Sequence, residues 1–296
     1  MPQNNCFTDT APAFAILGGD RRSSFLAELL AADGFLVSAI GFERQSEPMS
    51  GTASLSAIKD CDVLVLPLPV SLDGRTVNAP FSDMVYPLDE VFSMVPPDTL
   101  VLGGRVDGRT AELAARHRLH VRDYYEREEL MIRNAIPTAE GALQIAMEET
   151  AFTIHGSDCL VLGFGRVARA MAALLKAVGA QVTVAARRWS DFASIDAHGY
   201  TAMDIRRMQG KLGEFDLVFN TVPAPILDAG LLGELNRECL VIDLASKPGG
   251  VDFDTARTLG VRAIWALSLP GRVAPLSAGA TIKQTVLNML AEEGLL

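Results

Sequence analysis

The stretch Cys159-Leu160-Val161-Leu162-Gly163-Phe164-Gly165-Arg166-Val167-Ala168 decides the fold. Its first four residues are apolar and read as a buried strand. Residues 166–178 read as a helix, because Val167, Met171, Leu174, Leu175 and Val178 fall on one face. Between strand and helix, Gly163, Gly165 and Ala168 fit the pattern G-x-G-x-x-G/A. Gly163 allows a tight turn, Gly165 lets the backbone approach a pyrophosphate, and Ala168 is small enough for the helix to pack near the strand. The helix start then offers N–H groups and a partial positive charge to phosphates. Residues 163–167, Phe164 and Arg166 included, are the expected phosphate turn of a dinucleotide-binding domain.

Working outward, short runs of Val, Ile and Leu alternate with amphipathic stretches, the order of parallel β/α units. Downstream strands are expected at 181–185, 217–220 and 240–243, with a weaker one at 263–265. Upstream, strands at 13–17, 35–40, 63–66, 99–102 and 119–121 and helices at 22–32 and 108–117 make a second α/β domain. Pro137 reads as the boundary, Thr138 as the N-cap of a connector helix over 138–150. The final helix is expected at 277–291, where Ala278, Ile282, Val286 and Met289 share one side. The expected fold class is therefore α/β, two domains with mainly parallel sheets. Residues 1–137 form a substrate or catalytic domain, and 138–276 a Rossmann domain whose connector spans 138–152. By analogy with two-domain dehydrogenases, residues 277–296 return to the first.

Composition removes several functions. The chain of 296 residues carries 26 Lys and Arg against 36 Asp and Glu, a net charge of −10. That balance argues against a general nucleic-acid binder, which needs a basic face, and against a protein held to anionic lipid by charge. No run reaches about 18 apolar residues, so no membrane span is expected. The first residues lack the basic and apolar regions of a signal peptide, and the expected location is the cytoplasm. Cys6, Cys61, Cys159 and Cys239 are scattered and form no C-x-x-C pair, so neither a disulfide framework nor a metal site is expected.

The end of the strand at 181–185 bears on the cofactor. An NAD enzyme places Asp or Glu there for the ribose hydroxyls. This chain runs into Ala186-Arg187-Arg188, and two guanidinium groups suit a 2′-phosphate. NADP is expected rather than NAD. Asn220-Thr221-Val222-Pro223 and Asp243-Leu244-Ala245-Ser246 occupy strand ends, where open sheets bind ligands, and are expected beside the nicotinamide half of the cofactor. Arg21-Arg22 after Gly18-Gly19-Asp20, Lys247 before Pro248-Gly249-Gly250, and Arg272 in Leu269-Pro270-Gly271-Arg272 are basic groups beside glycines that permit close approach. Gly19, Asp20, Arg21, Ser246, Pro270, Gly271 and Arg272 form the expected pocket for carboxylates. Candidates for the chemistry are Lys247, Asp243 and Glu140. His155 reads as a turn or capping residue.

Several long strings carry a resemblance. Asn134-Ala135-Ile136-Pro137-Thr138-Ala139-Glu140-Gly141, Thr153-Ile154-His155-Gly156-Ser157, Asn220-Thr221-Val222-Pro223, Asp243 through Gly250 and Leu269 through Pro275 resemble segments of the dipicolinate synthase A subunit family. Gly18-Gly19-Asp20 extends the likeness to most of the chain. That family often carries Arg where Lys247 stands, so the charge is kept and a bidentate grip is lost. The resemblance implies an NADP-dependent oxidation of a dihydrodipicolinate-type ring to pyridine-2,6-dicarboxylate. It also implies a smaller flavoprotein-like partner, the dipicolinate synthase B subunit, in an oligomeric assembly, and the mother-cell cytoplasm of a sporulating bacterium. A shikimate- or 2-hydroxyacid-type dehydrogenase shares the two-domain plan. A nucleotide-binding scaffold that only organises the B subunit is the third reading. Two carboxylates approaching a protein at −10 need local cations. One at about 4 Å contributes roughly 4 kcal/mol at an effective dielectric near 20, before desolvation is subtracted.

Overall fold

The structure, a computed structural model, describes residues 11–46 and 49–296; Cys6 lies outside them. Its strands in chain order are β1 (Phe14–Leu17), β2 (Val37–Ile40), β3 (Val63–Val65), β4 (Leu100–Gly103), β5 (Val121–Asp123), β6 (Asp158–Leu162), β7 (Gln181–Ala186), β8 (Thr201–Asp204), β9 (Leu217–Asn220), β10 (Leu240–Asp243) and β11 (Arg262–Trp265). The helices are α1 (Arg21–Ala32), α2 (Leu88–Met94), α3 (Gly108–Arg116), α4 (Glu128–Glu149), α5 (Arg166–Ala177), α6 (Trp189–Ala197), α7 (Ala229–Leu232), α8 (Phe253–Leu259), α9 (Leu269–Val273) and α10 (Pro275–Glu292). Two units result. One holds the described residues up to Met131 together with Ala274–Leu296, and the other holds Ile132–Val273.

The first unit is built on a parallel sheet of order β2-β1-β3-β4-β5. All four residues of β1 are buried, as expected of a strand covered on both faces. The pleat sends Phe14 and Ile16 to one face, with Leu26, Ala27 and Leu30 of α1 and Ile282, Val286 and Met289 of α10. Ala15 and Leu17 go to the other, with Leu88, Val91 and Phe92 of α2 and Ala114 of α3. Helices α1 and α10 approach closely because Gly279 has no side chain. A Cβ there would lie 2.8 Å from Arg22 O and 3.0 Å from Phe25 Cβ.

The second unit has the parallel order β11-β10-β9-β6-β7-β8. Counted from β6 this is 3-2-1-4-5-6, the doubly wound dinucleotide-binding arrangement. Cys159 and Val161 of β6 face a core with Ala168, Met171, Ala172 and Leu175 of α5. Leu160 and Leu162 face Met208, Leu212 and Phe215. Helix α6 and strand β8 add to the elements expected from the sequence.

The connector differs from expectation. Pro137 does not start a helix: α4 runs through it from Glu128. Proline removes one backbone donor and crowds the preceding turn. Ala135, Ala139, Ala142 and Ala146, three or four residues apart, are nonetheless all buried and carry the helix onward. Thr138 is consequently no N-cap; its hydroxyl donates to Asn134 O at 2.8 Å, one turn back. Cys61, Cys159 and Cys239 are buried and free. Burial pushes their thiols up to about 11, about 11 and about 12, so they are inert core residues. No described helix is long and apolar enough to cross a membrane, and no metal-binding cluster occurs among the described residues.

Candidate functional site

In the second unit the fingerprint turn leaves β6 at Gly163, whose φ is +98°. A Cβ at Gly163 would lie 2.6 Å from Thr221 Oγ1 and 3.0 Å from Val222 Cγ2. Glycine is thus required both by the backbone and by the neighbouring strand end. Gly165 is the N-cap of α5, and no side chain caps the helix. A Cβ at Gly165 would meet nothing within 4 Å. Open space therefore stands before an uncapped helix start, the environment a pyrophosphate needs. Phe164 is buried beneath the turn; Arg169 stacks over its ring at 4.5 Å and donates from Nε to its carbonyl at 3.2 Å. Arg166 and Val167 begin the helix.

At the end of β7, Arg187 is exposed and has no ion pair among the described residues. Arg188 is committed elsewhere. Its Nε and Nη2 each donate to Asp191 at 2.9 Å. The two arginines are therefore not an equivalent pair: Arg187 is available to a ligand, while Arg188 already holds a carboxylate. That pairing also keeps the Asp191 carboxyl below the usual range, despite its burial.

The ends of β9 and β10 are tied into one buried network. Asn220 Nδ2 donates to Asp243 Oδ1 at 2.7 Å and to Val222 O at 3.1 Å, and Asn220 Oδ1 accepts from Val222 N–H. Asp243 Oδ1 accepts from Ala245 N–H at 3.0 Å, and Oδ2 from Gly250 N–H at 2.8 Å. Both side chains are fully buried. This corrects the expected catalytic role of Asp243. A buried carboxylate whose two oxygens accept three hydrogen bonds fixes loops and is closed off from a substrate. Gly250 is obligatory in the network, since a Cβ there would lie 2.2 Å from Asn220 Nδ2. Thr221 donates to Leu162 O at 2.8 Å, securing the loop that leads through Val222 to Pro223.

Beyond Leu244 and Ala245, the turn at Ser246-Lys247-Pro248-Gly249 contains a cis Lys247–Pro248 bond and is closed by Gly249 N–H donating to Ser246 O at 2.9 Å. Ser246 and Lys247 are exposed at its tip. Trp265 Nε1 donates to Ala245 O at 2.9 Å and its ring stacks on Phe253, which anchors the base of the turn. Arg272, expected in a loop, stands exposed on α9, whose Leu269 and Pro270 are buried. Gly141 of α4 lets α9 approach: a Cβ there would be 3.1 Å from Leu269 Cβ. Glu140 and Gly271 flank this contact on the two helices, with Glu140 exposed.

In the first unit, the two adjacent arginines of the expected carboxylate pocket point different ways. Arg21 is exposed on α1 and its guanidinium lies 5.7 Å from the Phe25 ring centroid. The inward arginine is Arg22. Its Nε and Nη2 clasp Asp20, which also caps α1, and Nη2 donates to Leu68 O at 2.6 Å. Helical spacing could have found this, since Arg21 shares a side with Phe25 and Glu28, whereas Arg22 leads to the buried Leu26 and Leu30. Gly19, at φ +99°, admits no side chain, because a Cβ would strike Ser23 Oγ at 2.0 Å and meet Pro67 Cβ at 3.0 Å.

Residues 13–125 match the family model for the N-terminal domain of the dipicolinate synthase A subunit, and residues 150–255 match a putative NAD(P)-binding family model. The chain is 30% identical to the dipicolinate synthase A subunit of Bacillus subtilis (strain 168), across 96% of this chain and 97% of that protein. The crystal structure of the dipicolinate synthase A subunit from Bacillus halodurans is similar, with a TM-score of 0.88 and 32% identity over 95% of this chain and 98% of that one. The crystal structure of transhydrogenase from Sinorhizobium meliloti shares the fold, with a TM-score of 0.74 and 15% identity over 95% of this chain and 94% of that one. The second unit is thus an NAD(P)-binding domain by match as well as by topology.

Proposed function

Because the chain belongs to the dipicolinate synthase A subunit family, we propose that it is an NADP-dependent oxidoreductase that converts a dihydrodipicolinate-type ring to pyridine-2,6-dicarboxylate. The observation that carries this reading is the uncapped start of α5 facing open space at Gly165. It is joined to a strand end at β7 that bears Arg187 and lacks a ribose-binding carboxylate. The cofactor supplies a hydride acceptor. This chain's residues would hold it: Gly163 and Gly165 shape the turn, the start of α5 would take the pyrophosphate, and Arg187 would take the 2′-phosphate. Asn220 and Asp243 fix the loops of Val222, Pro223, Leu244 and Ala245. With that acceptor bound, the overall balance would be ring substrate and NADP to aromatic diacid, NADPH and a proton. Lys247, on an exposed turn, and Arg272, on α9, are assigned to the substrate carboxylates, and Lys247 is the leading proton-handling group. The dipicolinate synthase B subunit is the assigned partner, in the mother-cell cytoplasm of a sporulating bacterium; the family likeness supports both.

The test mixes the chain, with and without the B subunit, with NADP and freshly generated product of dihydrodipicolinate synthase, and follows the absorbance of NADPH and of the diacid. Formation of both is expected. No NADPH in either mixture overturns the reading; NADP binding without turnover points to a scaffold for the B subunit. Turnover of a hydroxy acid by the chain alone points instead to a shikimate- or 2-hydroxyacid-type dehydrogenase.

A further inference from the structure

The geometry points to a carboxylate-binding site in the first unit, with Arg22 as its anchor, at the crevice between the ends of β1 and β3. This rests on the proposed function for the identity of the carboxylate. The sheet order β2-β1-β3-β4-β5 reverses direction at β1 and β3. Helix α1 covers one face and α2 the other, so the connections leaving β1 and β3 part to opposite sides. Such a switch point is where open parallel sheets bind ligands. Arg22 spans it, joined to Asp20 on the loop after β1 and to Leu68 O on the loop after β3.

The donor count leaves a free edge. A guanidinium has five N–H groups. Nε–H goes to Asp20, and the two hydrogens of Nη2 go to Asp20 Oδ2 at 2.8 Å and Leu68 O at 2.6 Å. Nη1 has no acceptor among the described residues. Nor is it a buried orphan, since those are Gln45 Oε1 and Thr110 Oγ1. The side chain is nevertheless only 11% exposed. Nη1 therefore opens to solvent through a narrow gap, with its other edges held. The floor is rigid: Tyr124, fully buried, donates to Leu66 O at 3.0 Å, and Gly104 lies so close that a Cβ would be 2.7 Å from the Tyr124 ring. An N–H donor on a fixed, permanently charged group suits one oxygen of a carboxylate.

The test uses the full chain and pyridine-2,6-dicarboxylate itself, titrated by calorimetry, with NADPH titrated alongside. Arg22→Met should weaken the diacid by at least about 10-fold, the worth of one charge-assisted hydrogen bond, and leave NADPH within about 2-fold. Arg22→Lys keeps a cation against Asp20, protecting the fold, but lacks Nη1; it should show the same loss and a raised KM for the ring substrate. Inorganic phosphate should compete poorly. If Arg22→Lys binds the diacid like the unaltered chain, or if Arg21→Ala is the variant that loses it, the inference is overturned. It is also overturned if the unaltered chain does not bind the diacid. NADPH production by the unaltered chain with an unchanged KM in Arg22→Lys sinks this site and leaves the oxidoreductase reading standing. Arg22-dependent diacid binding without turnover does the reverse.

Discussion

The two units place a glycine-bearing turn after the first strand of each sheet, and they finish it in opposite ways. After β6, Gly165 begins α5 with no capping side chain and open space before it. After β1, Asp20 caps α1, Arg22 clasps Asp20, and Gly19 is packed against Ser23 and Pro67. The first end is an electropositive opening for a phosphate. The second is filled by its own carboxylate, and an anion there must be met by a guanidinium. Glycines alone do not mark a nucleotide turn; these two differ in that Asp20 caps α1 while no side chain caps α5. The same contrast separates the strand-end carboxylates, since Asp243 is fully buried with three donors while the Asp20 side chain is 38% exposed.

The largest effect is expected from removing the buried carboxylate. Asp243→Ala leaves Asn220 Nδ2, Ala245 N–H and Gly250 N–H short of an acceptor, and should destabilise the second unit by about 3 kcal/mol or more, read by urea unfolding. A variant as stable as the unaltered chain would mean that the network does not hold these loops. Next comes an exchange of character between the two turns. Gly165→Asp copies the capped end into the open one. Its Cβ meets nothing and its φ of −80° suits any residue, so the fold should persist. A like charge beside a phosphate is repelled, and NADPH affinity should fall by about 100-fold, or about 2.7 kcal/mol. Retained affinity would show that the uncapped α5 does not face the pyrophosphate.

The contrast also explains what the sequence makes legible. The fingerprint from Gly163 to Ala168 is local: its turn, helix start and packing are specified within six residues, and the sheet order of the second unit follows. Asp243 reads wrongly as catalytic because its partners lie in space, with Asn220 on the neighbouring strand and Gly250 at the far side of a turn. Nothing within a few residues distinguishes a ligand-lining carboxylate from one that ties two loops together. Arg188 has a partner that the pattern alone does not announce, Asp191, one helical turn on. Pro137 misleads because a local rule about proline is outweighed by burial of the alanines around it. Arg21 and Arg22 are adjacent in sequence, and only helical phase separates them.

A smaller effect is expected at β7. Arg187→Ala removes an exposed cation with no ion pair among the described residues, so stability should hold. NADP affinity should fall about 10-fold, with NAD within about 2-fold, the worth of one charge-assisted contact. Equal losses for both cofactors would place Arg187 away from the 2′-phosphate.

The smallest is Asp20→Asn. The amide oxygen can still accept from Arg22 N–H, so the cap on α1 survives, while the ion pair to the guanidinium is lost. That pair is part-exposed on the Asp20 side, and solvent screens it. The cost should therefore be about 1 kcal/mol in urea unfolding, no more than about a third of that for Asp243→Ala. Equal costs would mean that both carboxylates act as buried ties, and the difference in exposure between the two strand ends would lose its meaning. A small cost in stability with a clear loss of diacid affinity would instead identify Asp20 as the group that aims Arg22.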